Sequence, residues 1–291
     1  MTPLASTETV RFAIPKGRMY DHVVRLLADA GIAVSASARD YRPTIAFDAF
    51  EVKVLKPRAI IEMLEAGSRD LGFAGADWVA ESNADLVELL DTRLDPVRLI
   101  AAAPESILED GRLPSRPLVI ASEYGELTNR WIARRGLDAT LLRSYGATEV
   151  LPPEDADCIV DNTASGATLA ANGLIIIDEL MRSSTRLYAS RTAMDCPIKR
   201  DAIERFVMVV GAVLQARKRV MVEVNVSADV LDAVVAALPC MREPTISPLR
   251  SSTGYAVKAA VPRNELARVI PAIKRAGGTD IVVTTPEQIV P

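Results

Sequence analysis

Histidine and cysteine are nearly missing from this chain of 291 residues, which has one histidine, His22, and three cysteines, Cys158, Cys196 and Cys240. A single histidine makes a Ser/His/Asp triad hard to build. An odd number of widely spaced cysteines, none in a C-x-x-C pair, argues against a disulfide or zinc framework and fits a reducing cytoplasm. Long hydrophobic runs are absent too. The longest, Phe206 to Leu214, is far too short to span a bilayer. Met1 to Thr9 has no basic region followed by an apolar block, so no secretory signal is expected. A formal net charge of -4 gives no basic field for nucleic acid or an anionic membrane, and any polyphosphate must be met by local Lys and Arg.

What is present suffices for well-cored domains, with 49% hydrophobic and 25% charged residues. At this length two or three compact units are expected. The most telling stretch runs from Cys158 to Leu169 (CIVDNTASGATL). A short apolar strand ends in Asp161, a loop of small and hydroxyl residues follows, and a helix starts. Backbone N–H groups and hydroxyls then converge on one spot where phosphate can sit. The acid would repel phosphate alone, but it suits sugar hydroxyls or a magnesium ion carried by phosphates. The expected ligand is a phosphorylated ribose. An ordinary helix cap, with Ser165 satisfying orphan N–H groups, has the same geometry, and spacing alone does not separate the two.

The remaining pattern alternates strands with helices. Val10 to Ile14 reads as a strand, broken by Pro15-Lys16-Gly17-Arg18; Met19, Val23, Leu26, Leu27 and Ala30 then recur at helical spacing. Val52 to Leu55 and Leu71 to Gly75 are further strands around a helix from Ala59 to Ala66, and Asp77 is placed to cap the next helix. The alternation resumes with strands at Leu118 to Ala121, Ala139 to Arg143, Cys158 to Asp161 and Leu174 to Ile177, and a helix from Glu126 to Arg135. Two such runs predict two α/β lobes with a ligand cleft between them. A helix from Asp201 to Arg217 leads to a basic hinge, Arg217-Lys218-Arg219. The tail reads β-α-β-β-α-β, a ferredoxin-like arrangement that names no function by itself.

At this point the residues resemble a known family. Tyr145-Gly146-Ala147-Thr148-Glu149, Asp157 to Leu169 and Ala171-Asn172-Gly173-Leu174 are similar to the phosphoribosyl-diphosphate region of the ATP phosphoribosyltransferases, the first enzymes of histidine biosynthesis. Ile14 to Arg18 resembles their N-terminal signature, Lys56-Pro57-Arg58 and Asp70 to Asp77 the next two, and Glu243 to Leu249 the regulatory domain of the long form. The likeness covers nearly the whole chain in order. One departure stands out: where family members often carry Glu-Thr-Gly in the phosphate loop, this chain has Ala164-Ser165-Gly166.

The resemblance implies a two-lobed, periplasmic-binding-protein-like catalytic part and an α+β ferredoxin-like C-terminal domain. The expected division is lobe I over 1–104 with a return segment 190–216, lobe II over 105–189, and a regulatory domain over 217–291. It implies ATP and 5-phosphoribosyl 1-diphosphate as substrates, Mg2+ held mainly through their phosphates with Glu149 or Asp161 as candidate ligands, and a dimer–hexamer equilibrium in the cytoplasm. Histidine is the implied inhibitor, with co-inhibition by AMP left open; nucleic acid and membrane are not expected partners. Asp161, Lys16 and Arg18 are the implied catalytic set. Glu149, Asp161, Asn162, Thr163, Ala164, Ser165, Gly166, Ala167, Thr168 and Leu169 would hold the ribosyl donor. Lys16, Gly17, Arg18, Arg58, Gly75 and Asp77 would hold ATP, and Glu223, Thr245 and Ser247 histidine.

Each residue also has a plainer reading. Lys16 and Arg18 alone suit a solvated basic turn, Asp77 a helix cap, and Glu149 an exposed acid. His22 falls one position off the apolar stripe and reads as a surface residue; Cys158 reads as core. Two rival functions remain at this stage. One is a non-catalytic cytoplasmic two-lobed binding protein; the other is a nucleobase phosphoribosyltransferase, which would need a compact base pocket rather than extra cations.

Overall fold

The computed structural model describes residues 9–35, 41–250 and 253–291. Met1 to Glu8, read above for a leader, therefore lie outside the described residues. Contacts divide the chain into two compact units. One gathers the residues up to Arg25 with Ile32–Glu204, and the other gathers Leu26–Gly31 with Arg205–Pro291.

The first unit opens on a strand that the sequence makes almost wholly apolar. β1 (Val10–Pro15) is buried at every position except the partly covered Arg11. Gly17 then takes a positive φ of 87°, a turn that glycine alone adopts without steric cost, and α1 (Arg18–Asp29) starts at once. A short pair, β2 (Val34–Ser35) and β3 (Thr44–Ile45), precedes β4 (Phe50–Leu55), α2 (Pro57–Glu65), β5 (Leu71–Gly75) and α3 (Ala76–Ser82). Proline starts α2 where its missing N–H would have no partner anyway. β1 pairs in parallel with both β4 and β5, and Phe12 meets Phe73 edge-on at 5.8 Å between ring centres.

β6 (Leu86–Pro104), β7 (Leu118–Ser122), α4 (Gly125–Arg135), β8 (Ala139–Arg143), β9 (Cys158–Thr163), α5 (Ala167–Ala171) and β10 (Leu174–Ser190) follow. The eight larger strands join in the order β4-β1-β5-β10-β6-β9-β7-β8. Three parallel strands at each end form the two lobes, and the antiparallel ribbon of β10 on β6 runs between them. This ribbon departs from the sequence pattern, which gives no strand over Leu86–Pro104 and only the first four residues of β10. Its register shifts several times, so neither strand keeps a clean alternation of apolar and polar residues.

A buried ion cluster ties the lobe of β1 to the chain's return. Asp70, 1% exposed, takes two hydrogen bonds from the Arg11 guanidinium, one from the Arg11 backbone and two from Lys199 Nζ. Burial opposes its ionisation, but these donors outweigh burial and hold its carboxyl below the ordinary value.

After α6 (Arg191–Asp195), α7 (Pro197–Arg217) carries the chain into the second unit. The expected basic hinge is not a linker. α7 continues to Arg217 and β11 (Arg219–Ser227) begins two residues later, with Lys218 alone between them. α8 (Leu231–Ala236), β12 (Thr245–Pro248), β13 (Gly254–Pro262), α9 (Leu266–Arg275) and β14 (Thr279–Thr284) complete the unit. The antiparallel order β12-β13-β11-β14 is the ferredoxin-like topology expected from the tail. Val220, Val222, Val224 and Val226 point to one face and pack with Val234, Val269 and Ile273 of the helices.

Candidate functional site

Two cavities of the first unit share Arg18, Val97 and Asn162 in their walls. The first, about 320 Å³, lies on the turn after β9. Glu149, Asp161, Thr163, Ala164, Ser165, Thr168 and Leu169 all face it, whereas Gly166 and Ala167 from the same turn do not line it. The strand ends and the short helix α5 begins as the sequence suggests. Gly166 supplies the left-handed cap at φ 81°.

The turn is partly self-satisfied. Thr163 Oγ1 accepts the Gly166 N–H at 2.9 Å and Ser165 Oγ the Ala167 N–H at 3.3 Å. The Thr168 hydroxyl has no partner among the described residues and faces the cavity. Thr163 and Ser165 therefore cap the turn while still lining the cavity, and the Thr168 hydroxyl is left over.

Asp161 is the most perturbed group in this cavity. Burial raises its carboxyl to about 6, and the negative Glu149 and Glu123 push in the same direction; the Asn162 N–H, 2.7 Å from Oδ1, and the Thr148 hydroxyl oppose them. No three His, Cys, Asp or Glu side chains gather as a metal site among the described residues. Asp161 and Glu149 do face one cavity, and a cation brought in by a ligand would relieve their repulsion.

The second cavity, about 130 Å³, is walled by Gly75, Asp77, Trp78, Asp95 and the serines and threonine of β10 at Ser183, Ser184 and Thr185. Asp77 is not a helix cap. Gly75 occupies that position, and Asp77 sits inside the first turn of α3, 5% exposed. Its Oδ1 accepts the Ser183 hydroxyl at 2.7 Å and its Oδ2 the Tyr124 hydroxyl at 2.6 Å. A Cβ at Gly75 would overlap this carboxylate, which explains the glycine. Tyr124, fully buried, also accepts a hydrogen bond from Asn162 Nδ2 at 2.7 Å and so ties α3 to the turn of the first cavity. Burial and the neighbouring Asp77 carboxylate keep its phenol protonated, far above its ordinary range.

Tyr124→Phe preserves the ring but leaves Asp77 Oδ2 and Asn162 Nδ2 without that partner. The variant should lose about 1–3 kcal/mol of stability, read as a lower denaturant midpoint with an unchanged slope. An unaltered midpoint would show that the bridging hydroxyl contributes nothing to the fold.

The other expected residues lie apart from these walls. Lys16 donates to the Tyr41 hydroxyl at 2.9 Å and sits 4.9 Å from its ring centre, and Gly17 only turns the chain. Arg58 stacks over Trp78, itself stacked on Tyr124 at 4.4 Å. His22 is half-exposed as expected, yet its Nδ1 lies 2.6 Å from Asp95 Oδ1. Cys158 is core, its thiol pushed up to about 12 by burial. In the second unit Glu223 pairs with Lys258 at 2.6 Å, while Thr245 and Ser247 are exposed on the edge strand, opposite Lys258 and Ala256. Tyr124, Trp78, Asp95 and Ser183 were not legible in the sequence. Their roles come from partners 47 or more residues away, or from a stack that no local pattern announces.

Comparison with known proteins gives this geometry a context. The chain matches the family profile "HisG: ATP phosphoribosyltransferase" over residues 56–211 and the HisG C-terminal domain over 216–287. It is 33% identical to an ATP phosphoribosyltransferase of Pelodictyon phaeoclathratiforme, covering 94% of this chain and 95% of that protein. It is 35% identical to one of Prosthecochloris aestuarii, covering 95% and 96%. Among solved structures, the ATP phosphoribosyl transferase (HisG:HisZ) complex from Thermotoga maritima is similar in fold, with a TM-score of 0.63 at 24% identity over 71% of this chain and 99% of that one.

Proposed function

Since this chain belongs to the ATP phosphoribosyltransferase family, we propose that its two adjoining cavities bring 5-phosphoribosyl 1-diphosphate and ATP together. The reaction links N1 of the adenine to C1 of the ribose and releases diphosphate, the first step of histidine biosynthesis. One observation carries the assignment of cavities: Arg18, Val97 and Asn162 belong to both walls, so ligands filling the two spaces would meet there. The turn from Asp161 to Leu169 takes the ribosyl donor, and the space between Gly75, Asp77 and Trp78 takes the nucleotide.

The adenine N1 is a neutral nucleophile, so no strong base is required. The barrier lies in departure of an anionic leaving group from a ribose acquiring positive charge, and positioning with electrostatic stabilisation dominates. Asp161, ionised above about pH 6, faces the sugar and stabilises that charge. Arg18 offers a planar fork to phosphate oxygens. A divalent ion, taken here as Mg2+, would neutralise charge on the phosphates, with Asp161 and Glu149 as the protein groups to hold it.

Lobe I is assigned to 1–104 with 190–216, lobe II to 105–189, and the regulatory domain to 217–291. Histidine would act at the last of these, near Glu223, Thr245 and Ser247, with AMP as a second candidate inhibitor. The assembly would be a homo-oligomer in the cytoplasm. No helix among the described residues is long and apolar enough to cross a membrane.

Purified protein with ATP, 5-phosphoribosyl 1-diphosphate, Mg2+ and pyrophosphatase should give rising ultraviolet absorbance from N1-substituted adenine. A Ser165→Ala/Thr168→Ala double variant should raise KM for the ribosyl donor roughly thirtyfold, as expected for lost hydrogen bonds to a charged group, and that for ATP far less. Equal losses for both substrates would return the turn to a purely capping role.

A further inference from the structure

We propose that Asp95 is a positioning residue for Arg18, fixing the guanidinium that the two cavities share; this deepens the transferase reading and rests on it. Arg18 is the one cation among the wall residues of both cavities in the described structure. It stands among acids: Glu149 and Asp161 in the first cavity, Asp77 and Asp95 in the second. Its side chain is 70% exposed, so packing does not orient it, and its ion pair with Asp95 is what restrains it.

The fold delivers Asp95 deliberately. Between the pairs Ser183↔Val97 and Thr185↔Leu94, β6 advances three residues while β10 advances two, so β6 bulges at Asp95. A bulge re-aims a side chain, and here Asp95 takes φ 47°, a left-handed conformation that aspartate tolerates better than most residues. Its side chain is turned inward and left 5% exposed. Oδ2 accepts the Thr185 hydroxyl at 2.8 Å, while Oδ1 lies 2.6 Å from His22 Nδ1 and 3.9 Å from Arg18 Nε.

Those last two distances assign different roles. At 3.9 Å the Arg18 contact is an ion pair without a hydrogen bond, strong enough to bias the side chain and weak enough to release it. His22 follows Arg18 by four residues on α1, on the same helix face. It keeps the buried carboxylate partnered when Arg18 turns to ligand phosphates, so release does not strand a buried charge. Asp95 holds the arginine ready, and His22 covers for it.

A double-mutant cycle on the full chain tests this. Asp95→Asn should raise KM for both substrates about tenfold with kcat within about threefold, and should add nothing further in an Arg18→Gln background. His22→Gln, a change at a half-exposed ring, should raise both KM values about threefold, an effect likewise absent with Arg18→Gln. Costs that simply multiply in the double variants would overturn the inference. Should Asp95→Asn fail to fold, the His22 pair of measurements decides it alone. Product formation by the unaltered protein separates the two levels: no product sinks the transferase reading itself, while product with multiplying costs sinks only the role of Asp95.

Discussion

Exchanging Asp161 for asparagine is expected to slow transfer severely while making the protein harder to unfold. Asparagine keeps the size and hydrogen-bonding reach of the side chain but not the charge. Loss of that electrostatic contribution should lower kcat by about 10²–10³, the scale seen when one preorganised stabilising group is removed. Stability moves the other way. The Asp161 carboxyl is raised from 3.8 to about 6, so the folded ligand-free protein binds its proton more tightly than the unfolded chain does. Ionising it therefore costs the fold free energy, a cost that accumulates as pH rises from about 4 to 6 and stays constant above that.

After allowance for partial solvent access the penalty is roughly 1–3 kcal/mol at pH 8, enough to shift Tm by several degrees. Asp161→Asn should gain that amount above pH 6.5 and progressively less below pH 6. In the unaltered enzyme, kcat/KM for the ribosyl donor should climb through an inflection near 6 that the variant lacks. Thermal melts across pH, set beside the rate profile, check both halves. A variant that is inactive and also less stable would mean that Asp161 is a structural anchor.

The second large effect concerns Asp70. Asp70→Asn leaves Arg11 and Lys199 facing a neutral amide inside the first unit, and breaking a buried ionic cluster in this way should cost about 3–5 kcal/mol. The variant should melt roughly 10 °C lower, and the triple exchange Arg11→Met/Asp70→Leu/Lys199→Met should recover most of the loss. Because the Asp70 carboxyl is held below its ordinary value, its contribution is complete at neutral pH and disappears as acid protonates it below pH 3.8. A triple variant no better than Asp70→Asn would mean that the charges, rather than the packing around them, specify this corner of the fold.

The parts of the molecule legible in the sequence are those whose pattern is local. β1, Gly17 and α1, the strand-turn-helix around Asp161, and the whole ferredoxin-like tail each advertise themselves within a dozen residues through apolar period and turn chemistry. The ribbon could not be read this way. β6 carries Asp91, Arg93 and Asp95 in its middle, and β10 carries Arg182, Ser183, Ser184 and Thr185. Those polar residues break the strand pattern because several of them face cavities rather than core. Asp77 was visible as an acid beside a helix start, but its burial against Ser183 and Tyr124 depends on partners 106 and 47 residues distant. Lys16, conspicuous in a basic turn, instead rests on Tyr41, a contact that no spacing rule encodes.

The ribbon of β6 and β10 has a mechanical meaning. Two hydrogen-bonded rails, rather than two slack cords, run from one lobe to the other. Any opening or shutting of the cleft would then have to deform the ribbon, most readily where its ladder is irregular. One such irregularity is the kink that carries Asp95, so a break in the ladder lies 3.9 Å, through that carboxylate, from the arginine that both cavities share. A twist at that kink would carry Asp95 with it, and so the aim of the guanidinium paired to it.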